Sequence, residues 1–156
     1  MALSEIRVKQ IKVFLQTFFI YASAHCLRTT WSSVKTSIYS DPWFPIDEKF
    51  IGTLDVAFLF PYAISMIFLG RYGDRIDLRY FISIGLLGGS FFFTLFGLVR
   101  SFAIHSLVLL ILFQMLNGIF QSVLWPGCIA VLGNWLGKEK KGLVMVFKFF
   151  RLVFLP

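Results

Sequence analysis

Polar and apolar positions alternate on a coarse scale along this chain, with long hydrophobic runs broken by short charged segments. A hydrocarbon core about 30 Å thick takes roughly 20 mostly apolar residues in a helix, and on that ruler the pattern predicts four spans. Residues 81–99 are the cleanest, uncharged between Arg79 and Arg100. Residues 50–70 contain one acid, Asp55, and one proline, Pro61. A membrane helix tolerates such a proline when neighbours satisfy the freed carbonyl. Residues 107–136 exceed the required length and include Pro126, which predicts a tilted or kinked helix. The first apolar run, 11–27, is short, but helical character continues through Val34 and Ile38. The predicted architecture is an all-α membrane protein with transmembrane helices at about 11–38, 50–70, 80–99 and 106–136.

Composition agrees. The 156 residues are 58% hydrophobic and 15% charged, with 20 phenylalanines and a mean hydropathy of +0.79. These values exclude an ordinary soluble domain. A net charge of +7 would suggest nucleic acid in a soluble chain. Here the cations lie beside and between the apolar runs, so they report topology, and no nucleic-acid partner is expected. Arg7, Lys9 and Lys12 precede the first span, Arg71, Arg75 and Arg79 follow the second, and Lys138, Lys140 and Lys141 follow the fourth. The opposite side carries only Arg28, Lys35, Lys49 and Arg100. The positive-inside rule therefore puts the N-terminus in the cytoplasm. The start of the chain also matches a cleavable signal peptide, with three cations, an apolar stretch and Ala22-Ser23-Ala24. Gln16 and Thr17 dilute that apolar core, and three further spans follow, which favours an uncut helix.

Cys26 and Cys128 both fall inside apolar segments and are expected to be reduced packing residues. No spacing supports a metal site, a nucleophile or a cofactor motif, so an enzyme is not expected.

Polar residues inside the apolar helices carry more information. At 100° per residue, Tyr21, His25, Arg28, Ser32 and Lys35 fall within an arc of about 80°. If the first helix runs through them, one of its faces is polar and doubly cationic. An arginine at membrane depth costs about 3 kcal/mol, so it should face a bundle interior or a wet cavity and meet an anion. Guanidinium binds phosphate or carboxylate in a bidentate fork, and lysine adds a mobile point charge. The alternative is that the helix ends near Leu27, leaving Arg28 and Lys35 as loop cations or as partners of Asp55. In the fourth span, Gln114, Asn117, Gln121, Trp125 and Cys128 also lie within about 80° of one another. Those buried amides need partners, which other helices supply as readily as the hydroxyls of a sugar. Gly85 and Gly89 form a small-xxx-small pair suited to a close helix crossing.

The segment from Gly70 through Asp74 and Arg75 to Arg79 resembles the cytoplasmic loop motif of the major facilitator superfamily, G-x-x-x-D-R-x-x-x-[RK]. It departs from the commonest form at Asp77, where a glycine is usual. In that family the acid and cations suit a salt-bridge latch between helices of a rocking transporter. HCLRTTWSSVK at 25–35, GTLD at 52–55, NGIFQSVLWP at 117–126 and GNW at 133–135 are similar to the sugar-phosphate:phosphate antiporters of that superfamily. Within them the resemblance points to the sugar phosphate exchangers of the endoplasmic reticulum, over about residues 10–143. It implies exchange of glucose 6-phosphate or glycerol 3-phosphate for inorganic phosphate by alternating access, without covalent chemistry. It places the phosphate-binding role on Arg28, with Lys35 second. Tyr21, His25, Asn117 and Gln121 join them as candidate substrate-binding residues.

The family has twelve helices in two six-helix halves, with the site between the halves. Residues 1–141 would supply a partial N-terminal bundle, truncated before or within the fifth helix, and 142–156 form a divergent tail. Lys148 and Arg151 interrupt the phenylalanines of that tail, which suits an interfacial helix or an aborted fifth span. With half a phosphate cage the chain is expected not to transport alone, and to oligomerise or bind a full-length relative in the bilayer. The competing function is a non-transporting four-span protein that regulates a full-length carrier.

Overall fold

The computed structural model describes residues 2–40, 47–73, 75–102 and 106–136. They form five helices, α1 (Ala2–Tyr39), α2 (Glu48–Gly73), α3 (Leu78–Ser101), α4 (Leu107–Gln121) and α5 (Leu124–Leu136). Asp74 of the loop motif, Lys138, Lys140, Lys141 and the 142–156 tail lie outside the described residues.

Three helical stretches are long and apolar enough to cross a membrane: Glu48–Gly73, Leu78–Ser101 and Leu107–Trp135. The last joins α4 to α5. At 1.5 Å per residue, the 38-residue α1 is about 57 Å long, more than enough to cross, though its polar residues dilute its apolar character. Several of its hydroxyls are satisfied within the helix. Thr17, Ser23, Thr29, Thr30 and Ser33 each donate to the carbonyl four residues earlier, the arrangement a polar helix needs where water is scarce.

The expected kink falls just upstream of Pro126. Proline has no N–H for the carbonyl of Ser122, and its ring crowds that carbonyl. The helix accordingly breaks at Ser122–Val123. Ser122 N–H donates to the carbonyls of Gly118 and Ile119, and the ladder resumes with Gly127 N–H donating to Val123.

Helices α2 and α3 both pack along α4, and α1 packs on α5. Small residues permit the crossings. A Cβ on Gly118 would stand 2.4 Å from the Phe58 carbonyl oxygen, so α2 and α4 meet backbone to backbone. A Cβ on Gly85 would stand 2.9 Å from the Phe120 carbonyl oxygen, in line with the close crossing expected there. One apolar core gathers Leu54, Phe96, Val99 and Leu110, and a second gathers Ala24, Phe81, Ile82, Val123 and Leu124. Outward-facing Phe60, Phe68, Leu87, Phe91 and Val108 are exposed, as lipid-facing positions should be.

Two contacts define one end of the bundle. Gln10 Nε2 donates to the carbonyl of Trp135 (2.9 Å), tying the start of α1 to the end of α5. At the turn between α2 and α3, Asp77 is the N-cap of α3, its carboxylate accepting from Arg79 N–H (3.0 Å). Aspartate at this motif position therefore caps α3, a role in which it does slightly better than the usual glycine.

Candidate functional site

Helix α1 runs unbroken past Leu27 to Tyr39, so the polar arc read from the sequence is a real helix face. Tyr21, His25 and Arg28 from α1, Tyr62 from α2, and Gln121 and Trp125 from either side of the α4–α5 break line one open cleft, completed by Ala24 and Leu124.

Arg28 is held there by aromatic faces. Its guanidinium carbon lies 4.6 Å from the Tyr62 ring centre and 5.4 Å from that of Phe58. Those two rings stack at 5.8 Å. Tyr21 stands edge-on to His25 at 4.6 Å and tilted against Trp125 at 5.2 Å. Cation–π contacts recover about 0.5–2 kcal/mol, less than a membrane-depth arginine costs. Among the described residues no carboxylate reaches Arg28, because the ion pair formed there is Lys35–Asp55.

Lys35 has a different neighbourhood. Its Nζ donates to Asp55 Oδ2, while Trp31 Nε1 donates to Asp55 Oδ1 (2.8 Å). Both carboxylate oxygens are thereby engaged, and Lys35 Nζ also lies 5.7 Å from the Trp31 ring centre. The loop reading of Lys35 fails because α1 continues, but its pairing with Asp55 holds.

The amide face of α4 is turned inward. Gln114, Asn117 and Gln121 are 1%, 3% and 5% exposed. Gln121 Nε2 donates to Asn117 Oδ1 (2.9 Å), and Asn117 Nδ2 donates to Gln114 Oε1 (3.3 Å). Gln114 Nε2 ends this ladder without an acceptor among the described residues.

Of the sequence candidates, the structure thus brings Tyr21, His25, Arg28 and Gln121 together. Lys35 sits with Asp55 and Asn117 lies within the ladder, both outside the cleft lining. Ser32 is exposed. In the loop motif, Gly70 lies in the last turns of α2, and Arg75 and Arg79 are exposed. Cys26 is an exposed free thiol and Cys128 a buried one. Among the described residues, no group of three His, Cys, Asp or Glu could hold a metal. Sequence reasoning missed Tyr62 and Phe58, the wall against Arg28. Their signal was available in the position of Tyr62, about two turns beyond Asp55 and on the same side of α2.

Comparison with known proteins agrees with this architecture. The family model described as Major Facilitator Superfamily matches residues 13–149. The chain is 42% identical over 149 residues to putative glycerol-3-phosphate transporter 5 of Arabidopsis thaliana, covering 87% of this chain and 30% of that protein. It is 36% identical over 159 residues to a glucose-6-phosphate exchanger of Danio rerio (87% and 32%) and 34% identical over 170 residues to one of Mus musculus (85% and 32%). The chain therefore spans about three tenths of the length of these curated relatives. No solved structure matches it. With its apolar helices and a family match over most of its length, the chain is a multi-pass membrane protein and belongs to the major facilitator superfamily.

Proposed function

We propose that this chain supplies the first four spans of an organic-phosphate:phosphate antiporter and that Arg28 is its phosphate ligand. The observation that carries this reading is the state of Arg28, a cation set against the middle of the membrane-length helix α2, facing an open cleft, with aromatic rings and no described acid beside it. Such a site demands an anion. A phosphate monoester satisfies the guanidinium fork with two parallel hydrogen bonds. Tyr21, His25 and Gln121 supply hydroxyl, imidazole and amide groups for the rest of the substrate.

The relatives are named for glycerol 3-phosphate and glucose 6-phosphate, and a substrate of that class fits this chemistry. Inorganic phosphate, a smaller anion for the same guanidinium, is the exchanged partner. Transport proceeds by alternating access, in which a rocking half-bundle exposes Arg28 first to one side and then to the other. No bond in the substrate is made or broken. The loop cations favour a cytoplasmic N-terminus, and the resemblance favours the endoplasmic reticulum membrane.

The chain spans about three tenths of its relatives' length, and the cleft beside Arg28 stands open where the rest of a transporter would close it. These 156 residues alone are therefore proposed not to transport. A chimera tests the site in a complete fold: residues 13–136 replace the matching stretch of the Danio rerio exchanger, and the product is reconstituted into phosphate-loaded liposomes. Glucose 6-phosphate uptake that Arg28→Ala abolishes, with insertion normal, supports the reading. Unchanged uptake overturns the role of Arg28. The 156-residue chain in the same liposomes should show no exchange. Arg28-dependent exchange would mean that it assembles a working site as a homo-oligomer. If it is inactive but co-purifies with a full-length carrier and lowers its activity, the regulatory function takes precedence.

A further inference from the structure

Helices α1 and α2 run antiparallel and present two facing pairs, each partner two turns from the next on its own helix. Lys35 meets Asp55 at one level, and Arg28 meets Tyr62 about two turns away. Between these levels stands Phe58, one turn from Asp55 on α2 and already under the Arg28 guanidinium. On α1, Trp31 meets Asp55 and lies one turn from Arg28, and residues three apart on a helix are neighbours, so Arg28 is the next cation along that face from the Asp55 carboxylate.

What keeps the two apart is the occupation of Asp55. Lys35 takes one oxygen and the Trp31 indole takes the other. The indole is neutral and cannot offset a negative charge, so Lys35 alone balances the acid. A carboxylate at this depth that lost its lysine would seek another cation. On the described face of α1, that cation is Arg28. The resulting pair would be self-inhibiting, because a guanidinium that holds a carboxylate in its fork has none left for a phosphate.

We infer that Lys35 is a positioning residue whose ammonium neutralises Asp55 and thereby keeps that carboxylate off Arg28, leaving the guanidinium available to phosphate. The consequence for phosphate rests on the reading of Arg28 as its ligand; the effect on Arg28 itself does not. The same geometry explains how one helix face carries two cations with a single acid opposite, the acid being given to the cation outside the cleft.

The test reads Arg28 directly. The 156-residue chain in liposomes is treated with phenylglyoxal, which modifies accessible guanidinium groups, and the Arg28 peptide is quantified by mass spectrometry. Lys35→Met should lower Arg28 modification roughly fivefold, the shift expected of a partly exposed ion pair. Lys35→Met/Asp55→Asn, which removes the competing charge as well, should restore it, and Lys35→Arg should leave it near the native level. Native-level modification in Lys35→Met, or a double variant as protected as the single, overturns the inference.

A second variant separates charge from misfolding. Lys35→Cys in a Cys26→Ser background should show low Arg28 modification, and aminoethylation of the new thiol, returning a cation to the same folded sample, should raise it again. No recovery after complete aminoethylation counts against the inference. Retained exchange by the Arg28→Ala chimera would sink the phosphate reading and leave these labelling results standing.

Discussion

Lys35 and Arg28 share one face of α1, two turns apart, and each meets a residue of α2, yet their charges are handled differently. Lys35 is paired with Asp55, and the indole of Trp31 completes the shell of that acid. Arg28 is given rings in place of an acid, Tyr62 and Phe58, which stabilise a cation without neutralising it. The lesson concerns charge inside a membrane. The carboxylate of α2 neutralises Lys35, whereas the rings of α2 leave the charge of Arg28 uncompensated, and on the proposed reading that charge is the one left for a ligand.

The strongest way to break this comparison is to remove the open charge. Arg28→Ala in the chimera should lower exchange by about 100-fold or more, the scale of losing one partner from a desolvated charge pair. Arg28→Lys keeps the charge but loses the planar fork, and should fall between alanine and native. Equal rates for Arg28→Lys and native would show that charge alone suffices and would make the two cations interchangeable in kind.

A smaller effect is expected from Pro126→Ala, which touches the cleft and leaves the Lys35–Asp55 pair alone. Alanine returns an N–H to the carbonyl of Ser122 and lets α4 and α5 straighten. Gln121 and Trp125, set on either side of the break, would then turn relative to Arg28. Exchange should drop about tenfold, since a displacement of about 1 Å in a binding group can cost more than that. Unaltered Arg28 phenylglyoxal reactivity would accompany the drop, because the acid of α2 has not moved. Native exchange would show that the break does not set the geometry of the cleft.

Tyr62→Leu sharpens the comparison further by taking away the ring that faces Arg28 while keeping an apolar side chain. Loss of one cation–π contact at a partly exposed site corresponds to roughly a threefold change. It should appear as a raised KM for glucose 6-phosphate with kcat little changed. A collapse of membrane insertion instead would show that the ring is structural support for α2.

Much of this arrangement was legible in the sequence, and the limits have a physical origin. Apolar runs of bilayer length announced α2, α3 and the α4–α5 stretch, though not α1, whose apolar run is short, and the 3.6-residue period predicted that Tyr21, His25 and Arg28 would share a face. The period of one helix cannot say which residue of another helix comes opposite. Both cations of α1 therefore competed on paper for Asp55, and only the packing assigned it to Lys35. The same gap hid Tyr62. Pro126 signalled a kink, but its effect lands on the carbonyl four residues earlier, which moved the break to Ser122–Val123. The amide face of α4 was visible as an arc. That its members bond to one another, leaving Gln121 alone at the cleft, depends on side-chain directions that residue spacing does not encode.

The finest division within the comparison lies at Trp31, which touches the acid but carries no charge. Trp31→Phe removes the donor to Asp55 Oδ1 and keeps an aromatic ring against Phe96, on which Trp31 packs edge-on at 5.3 Å. If neutralisation by Lys35 is what confines Asp55, losing a neutral donor matters little. The carboxylate keeps its lysine, and the freed oxygen is one hydrogen bond poorer by about 0.5 kcal/mol, near a factor of two. Arg28 modification should therefore fall by no more than about twofold, well short of the change expected for Lys35→Met. A fivefold fall would transfer the holding of Asp55 from the ammonium to the indole. The contrast across α1 would then lie between two hydrogen-bond geometries, and charge would no longer explain it.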